Sequence, residues 1–185
     1  HDLAADWARF QFLKQVWEDT LQWGALASNP LWTNALRMLG QFLLRQPVEN
    51  ETAWDIAIRA AESSSNKLAV DILLDSLYLD PDAEKYLRER AGLLFDQSAK
   101  YLTRLLLRFH YVATSPTSSG AGLSAEIGVY VETKYRTPLI GRWPPVLRFL
   151  IGQRERLHEL VSPALANVIE TWLTKTPHLL STGTP

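Results

Sequence analysis

Apolar side chains recur along this chain at three- and four-residue spacing, the period of an amphipathic helix. The first such stretch runs from about Asp2 to Ala27. Leu3, Trp7, Phe10, Trp17 and Leu21 share one face, and Phe12, Val16 and Trp23 add a second apolar edge. A helix apolar on two sides is expected to lie between neighbours. Ser28-Asn29-Pro30 then starts a second helix over about 30–45, carrying Leu31, Ala35, Met38, Leu39 and Phe42. A third, over 50–63 with Asn50 as its cap, has the stripe Trp54, Ala57, Ile58 and Ala61. The fourth, over about 67–79, points Val70, Leu73, Leu74 and Leu77 inward. Ala83, Leu87, Ala91 and Leu94 mark a fifth over about 81–95. Leu102, Leu105, Leu106 and Phe109 mark a sixth from about Asp96 to Tyr111.

Punctuation agrees with the periodicity. Asn29-Pro30, Asp80-Pro81 and Ser162-Pro163 each put a capping side chain ahead of a proline. Proline suits a first helical turn because its missing N–H would have no helical partner there. Thr114 to Ser124 reads TSPTSSGAGLS, too small and polar for a core, and predicts a mobile loop over 114–124. Residues 125–136 admit two readings. Ile127, Val129 and Val131 alternate as in a strand, but a lone strand has nothing to pair with, so the balance favours a helix weakened by β-branched residues. Trp143-Pro144-Pro145 opens a seventh helix over about 144–160. An eighth follows Ser162-Pro163, with Leu165, Val168, Ile169, Trp172 and Leu173 on one stripe. The last ten residues read as a frayed tail or a truncated next element.

The expected fold is therefore all-α, one helical domain over 1–185. Its antiparallel pairs cover about 3–45, 50–79, 81–111 and 144–175. Pair starts recur every 30 to 50 residues, the range of helical solenoids, in which one pair needs the next to cover its apolar face. No tetratricopeptide or ankyrin consensus is present, which leaves an irregular HEAT-like array or a compact helical domain.

Composition narrows this further. The 185 residues are 46% hydrophobic and include seven tryptophans, expected to supply much of the core. Cysteine is absent, which excludes disulfides, thiolate catalysis and Cys-based zinc sites and fits a cytoplasmic, reducing setting. No apolar run approaches the ~20 residues that span a bilayer. With His1 first and no initiator Met, the chain is expected to be a fragment of a larger protein or a processed form. Net charge is −1, yet residues 1–84 carry 6 Lys/Arg against 13 Asp/Glu while residues 85–185 carry 13 against 7. An acidic half precedes a basic half, which suggests complementarity with neighbouring segments or, more sharply, a nucleic-acid surface.

Candidate chemistry is sparse. Gly120-Ala121-Gly122-Leu123-Ser124-Ala125 has the G-x-G-x-x-A spacing of a dinucleotide loop. It lacks the preceding strand and following helix through which backbone amides meet a pyrophosphate. No phosphate loop or nucleophile elbow occurs, so no cofactor is expected. Glu155 and His158 form one Glu-x-x-His pair where a di-iron bundle needs two. Asp71 and Asp75 share a helix face with Lys67 and read as solvated. Lys100, Arg104 and Arg108 recur every four residues opposite the leucine stripe of the sixth helix, the best candidate binding surface. Arg154 and His158 fall inside the apolar arc of Leu147, Leu150 and Ile151 on a continuous seventh helix. There they are expected as buried polar contacts, Arg154 meeting a carboxylate or carbonyl.

Two stretches, VDILLDSLYLDPDAEKYLRERAGLLFDQSAKYLTRLLLRFHYVATSP (residues 70–116) and RWPPVLRFLIGQRERLHELVSPALANVIETWLTKTP (residues 142–177), carry a family likeness. Together they resemble the helical region beside the nucleotide-binding domain of large bacterial STAND-type NTPases. The likeness covers under half of the chain and no phosphate loop or magnesium ligand. It implies a role as scaffold, sensor or coupling arm in a multidomain protein, with other domains or a protein as partner. The expected function is thus non-catalytic contact-making, with a nucleic-acid-binding helical domain as the alternative and an enzyme disfavoured.

Overall fold

Asp2 opens the first helix, its side chain accepting from the Ala5 N–H as an N-cap. From there the computed structural model describes residues 2–116, 136–157 and 163–175. The described chain is all-α apart from two ladders of two short strands each. It divides into two compact units, residues 1–90 and 91–185. The expected pair over 81–111 straddles this division. None of the described helices is long and apolar enough to cross a membrane.

The first unit holds α1 (Leu3–Gln15), α2 (Thr20–Ala25), α3 (Thr33–Leu44), α4 (Ala53–Ser63), α5 (Lys67–Leu79) and α6 (Ala83–Glu89). The single first helix expected to Ala27 breaks after Gln15. Asp19 caps α2 by accepting from Gln22 N–H, and Trp23 Nε1 donates to the Trp17 carbonyl at 2.8 Å. The side chains of the break therefore take over hydrogen bonds that a continuous helix would supply. Nor is α1 enclosed on two sides: Leu3 is 77% and Trp7 55% exposed, while Asp6, Phe10 and Leu13 face inward.

α5 is the centre of this unit, packed by α3, α4 and α6. Its Val70, Leu73, Leu74 and Leu77 are fully buried, as is the Trp54, Ala57, Ile58 and Ala61 stripe of α4. Trp23 and Trp54 anchor this core, each burying roughly 200 Å², about 5 kcal/mol of transfer free energy as an upper bound. A two-residue ladder, β1 (Pro47–Val48) with β2 (Glu51–Thr52), precedes α4. The cap of α4 is therefore Thr52 rather than the expected Asn50. Its N–H and hydroxyl both reach Asp55 Oδ2, at 3.1 and 2.7 Å.

The second unit holds α7 (Ala91–Val112), α8 (Trp143–Gly152), α9 (Arg154–Leu157) and α10 (Pro163–Lys175). α7 is kinked: Asp96 is extended, and Gln97, Ser98 and Ala99 have φ of 47°, 58° and 57°. The kink falls at the junction expected between the fifth and sixth helices. Beyond it Leu102, Leu105, Leu106 and Phe109 are buried as the pattern requires.

After α7, β3 (Thr114–Pro116) pairs antiparallel with β4 (Arg136–Pro138). The start of the expected loop is thus a strand, and its partner lies too far along the chain for local alternation to show. The rest of that loop and residues 125–135 lie outside the described residues, as do the last ten. α10 packs chiefly on α7 and β4 rather than on α8, the expected partner. The reason is aromatic. Trp143, at the head of α8, donates from Nε1 to the Ala113 carbonyl at 2.7 Å and meets Phe109 edge-on at 4.9 Å. It stacks on Trp172 of α10 at 5.5 Å. Of the seven tryptophans, Trp23, Trp54 and Trp143 are fully buried; Trp7 is exposed and the others are half-buried.

Candidate functional site

The body of α7 beyond the kink presents the proposed basic stripe. Lys100 is exposed, and Arg104 and Arg108 are half-buried. At 100° per residue, Leu107 and Tyr111 fall on the same face, seven and eleven residues after Lys100. They are 53% and 65% exposed. The surface is therefore mixed, three cations around a leucine and a tyrosine. The two apolar members follow the same helical spacing as the cations, but a pattern of like charges alone does not include them.

Tyr111 is fixed in place. The Arg136 guanidinium lies 4.5 Å from its ring centroid. Arg136 is itself buried, donating from Nε to Thr114 Oγ1 at 2.6 Å and from Nη2 to the carbonyls of Tyr111 and Thr114. Thr114 Oγ1 donates in turn to the His110 carbonyl at 2.6 Å. Burial first, and the Arg136 charge second, hold the His110 imidazole below its usual pKa. His110 Nε2 lies 2.8 Å from Thr171 Oγ1, which ties α7 to α10. This cluster supports the exposed face from behind.

Other expected residues are placed differently. Arg154 is exposed. The helix drawn continuously over 144–160 breaks at Gln153, whose N–H is shared between the Phe149 and Leu150 carbonyls. The apolar arc that was to hold Arg154 therefore ends before it. His158 lies outside the described residues, and Glu155 is exposed. The Gly120–Ala125 loop also lies outside them. Among the described residues no group of three or more His, Asp or Glu side chains converges as metal ligands would.

Asp75 is not on a solvated face. It is fully buried, holding Arg37 Nε and Nη2 on Oδ2 at 3.0 and 2.9 Å and the Tyr78 hydroxyl on Oδ1 at 2.6 Å. Asp80 is buried against Arg45 at 2.6 Å. Arg90 is buried between Trp54 and Tyr86, 5.0 and 5.6 Å from the ring centroids, and bonds to Thr52, Asp55 and Glu89. Each of these pairs a cation with its counter-charge. Such an arrangement ties one helix to another through paired charges.

The first unit also carries an open groove of about 750 Å³ where the start of α2 meets the end of α4. Glu18, Asp19, Leu21, Ala60, Ser63 and Ser64 line it. Its floor is apolar and its charged rim is acidic.

Compared with known proteins, the chain matches no family model, no curated sequence and no solved structure.

Proposed function

We propose that this chain is a non-catalytic helical scaffold that makes protein–protein or interdomain contacts through the exposed face of α7. The observation that carries the reading is the exposure of Leu107 and Tyr111 among Lys100, Arg104 and Arg108. Tyrosine and arginine around an apolar centre are the residues that contribute most at protein interfaces. The partner surface is apolar and acidic. A coupling arm of a multidomain NTPase is one setting for such a segment, in line with the resemblance of residues 70–116 and 142–177.

The second reading is a nucleic-acid-binding helical domain. It is favoured by the excess of ten Lys/Arg over six Asp/Glu in residues 91–185. Two titrations separate the readings. One uses an acidic amphipathic peptide with leucine and glutamate at helical spacing; the other uses short single-stranded and duplex DNA and RNA at ~50 mM salt. The scaffold reading expects peptide binding that is lost with Leu107→Asp and Tyr111→Asp at unchanged melting temperature. Oligonucleotide binding that falls steeply with salt, with no response to the peptide, replaces it by the nucleic-acid reading.

A further inference from the structure

The groove of the first unit has an acidic rim around Leu21 and Ala60, and the α7 face of the second carries Lys100, Arg104 and Arg108 around Leu107 and Tyr111. Residues 1–90 carry nine Lys/Arg against fourteen Asp/Glu, and residues 91–185 carry ten against six. We infer that the α2–α4 groove of one copy receives the α7 face of a second copy, so that the chain associates head to tail. This deepens the contact-making reading above and rests on it, by naming the partner.

The groove is built rather than incidental. Asn66 Nδ2 donates to the Gly24 carbonyl of α2 at 2.8 Å, while Asn66 Oδ1 accepts from Ala69 N–H at the start of α5. The approach is so close that a Cβ on Gly24 would lie 2.9 Å from Asn66 Nδ2. Asp19 and the Trp23 indole fix the other end of α2. The walls thus keep their spacing without an occupant, which lowers the ordering cost of filling the groove.

Leu21 stands in the groove 75% exposed, beside Ala60, and Glu18 and Asp19 are both exposed at its edge. Arg59, next to Ala60, pairs with Glu51 at 2.6 Å instead of neutralising that edge. Leu107 and Tyr111 supply the apolar body that Leu21 and Ala60 lack, and Lys100, Arg104 and Arg108 supply the counter-charge. A second copy is the occupant the chain itself specifies, since every copy offers one groove and one face. The contact joins two different patches and is therefore heterologous. It closes into a ring or extends as a filament, according to the rotation it imposes. One helix face in one groove falls below the ~800 Å² per partner of a tight complex, so the association is weak and salt-sensitive.

Sedimentation over a wide concentration range, at low and high salt, tests this with paired variants whose folding is checked by circular dichroism. The groove variant is Glu18→Lys with Asp19→Asn, asparagine retaining the cap. The face variant is Arg104→Glu with Arg108→Glu. The expected result is a wild-type mass that rises with concentration and falls with salt, monomers for each variant alone, and restored association in their mixture. A wild-type chain monomeric throughout overturns the inference, as does a mixture that stays monomeric or a groove variant that associates like wild type. Where the wild type is monomeric, the acidic-peptide titration separates the failures: binding to α7 assigns the face to a different protein, and no binding removes the contact-making reading too.

Discussion

Gly40 of α3 and Ser76 of α5 meet with no room for a further atom. A Cβ on Gly40 would stand 2.8 Å from the Ser76 Cβ and 2.9 Å from its hydroxyl. That hydroxyl is already committed, donating to the Leu73 carbonyl at 2.6 Å and accepting from Trp54 Nε1 at 2.9 Å. Three helices thus meet at one small side chain and one absent one. Gly40→Ala is expected to lower stability by about 1–3 kcal/mol through overpacking. Ser76→Gly in the same chain should return part of that loss. Urea unfolding of the two single variants and the double variant measures the coupling.

The Arg37–Asp75 pair predicts an asymmetry. Removing only the cation with Arg37→Ala leaves a buried carboxylate without its guanidinium, and is expected to cost about 3–5 kcal/mol. Replacing the group together, with Arg37→Met, Asp75→Leu and Tyr78→Phe, is expected to recover most of the loss. Equal destabilisation of the single and triple variants would show that packing rather than charge dominates.

His110 gives the second unit a pH dependence of known sign. Its pKa in the folded chain lies below the ordinary 6.5, through burial and then Arg136. The unfolded chain therefore takes up a proton that the folded chain refuses. The stabilisation is complete above pH 6.5 and is lost as pH falls from there towards the folded pKa. Imidazole proton shifts followed by NMR should place the His110 midpoint below 6.5. His110→Gln should flatten the slope of stability against pH in that window.

Three successive left-handed residues in α7 make a fourth target. Ser98 is exposed at φ 58°, where a side chain costs roughly 1–2 kcal/mol that glycine avoids. Ser98→Gly is expected to raise stability by up to about 1 kcal/mol, once the greater freedom of glycine in the unfolded chain is subtracted. A lowered melting temperature by calorimetry would contradict the kink.

Stripe residues such as Trp54, Ile58, Leu73 and Leu105 were legible because helical burial leaves a local, periodic trace. Pairs such as Arg37 with Asp75, 38 residues apart, leave none, so the local pattern alone puts Asp75 on a solvated face. The break at Gln153 is only partly legible: Gly152, the last residue of α8, is a stop signal, but a helical wheel continued past it places Arg154 in the apolar arc. β3 and β4 escaped because each is three residues long and pairs across a distant stretch. The basic members of the α7 face were found by their spacing. The groove beside Leu21 was not, because its walls come from α2 and α4, which no local pattern joins.

The stacking of Trp143 on Trp172 also has a spectroscopic consequence. Two indoles with centroids 5.5 Å apart and planes 22° from parallel are close enough for their excited states to mix. The resulting couplet in ultraviolet circular dichroism belongs to the second unit alone. Its disappearance on heating, set against the indole N–H resonance of Trp54, reports whether the two halves of the polypeptide melt together or in turn.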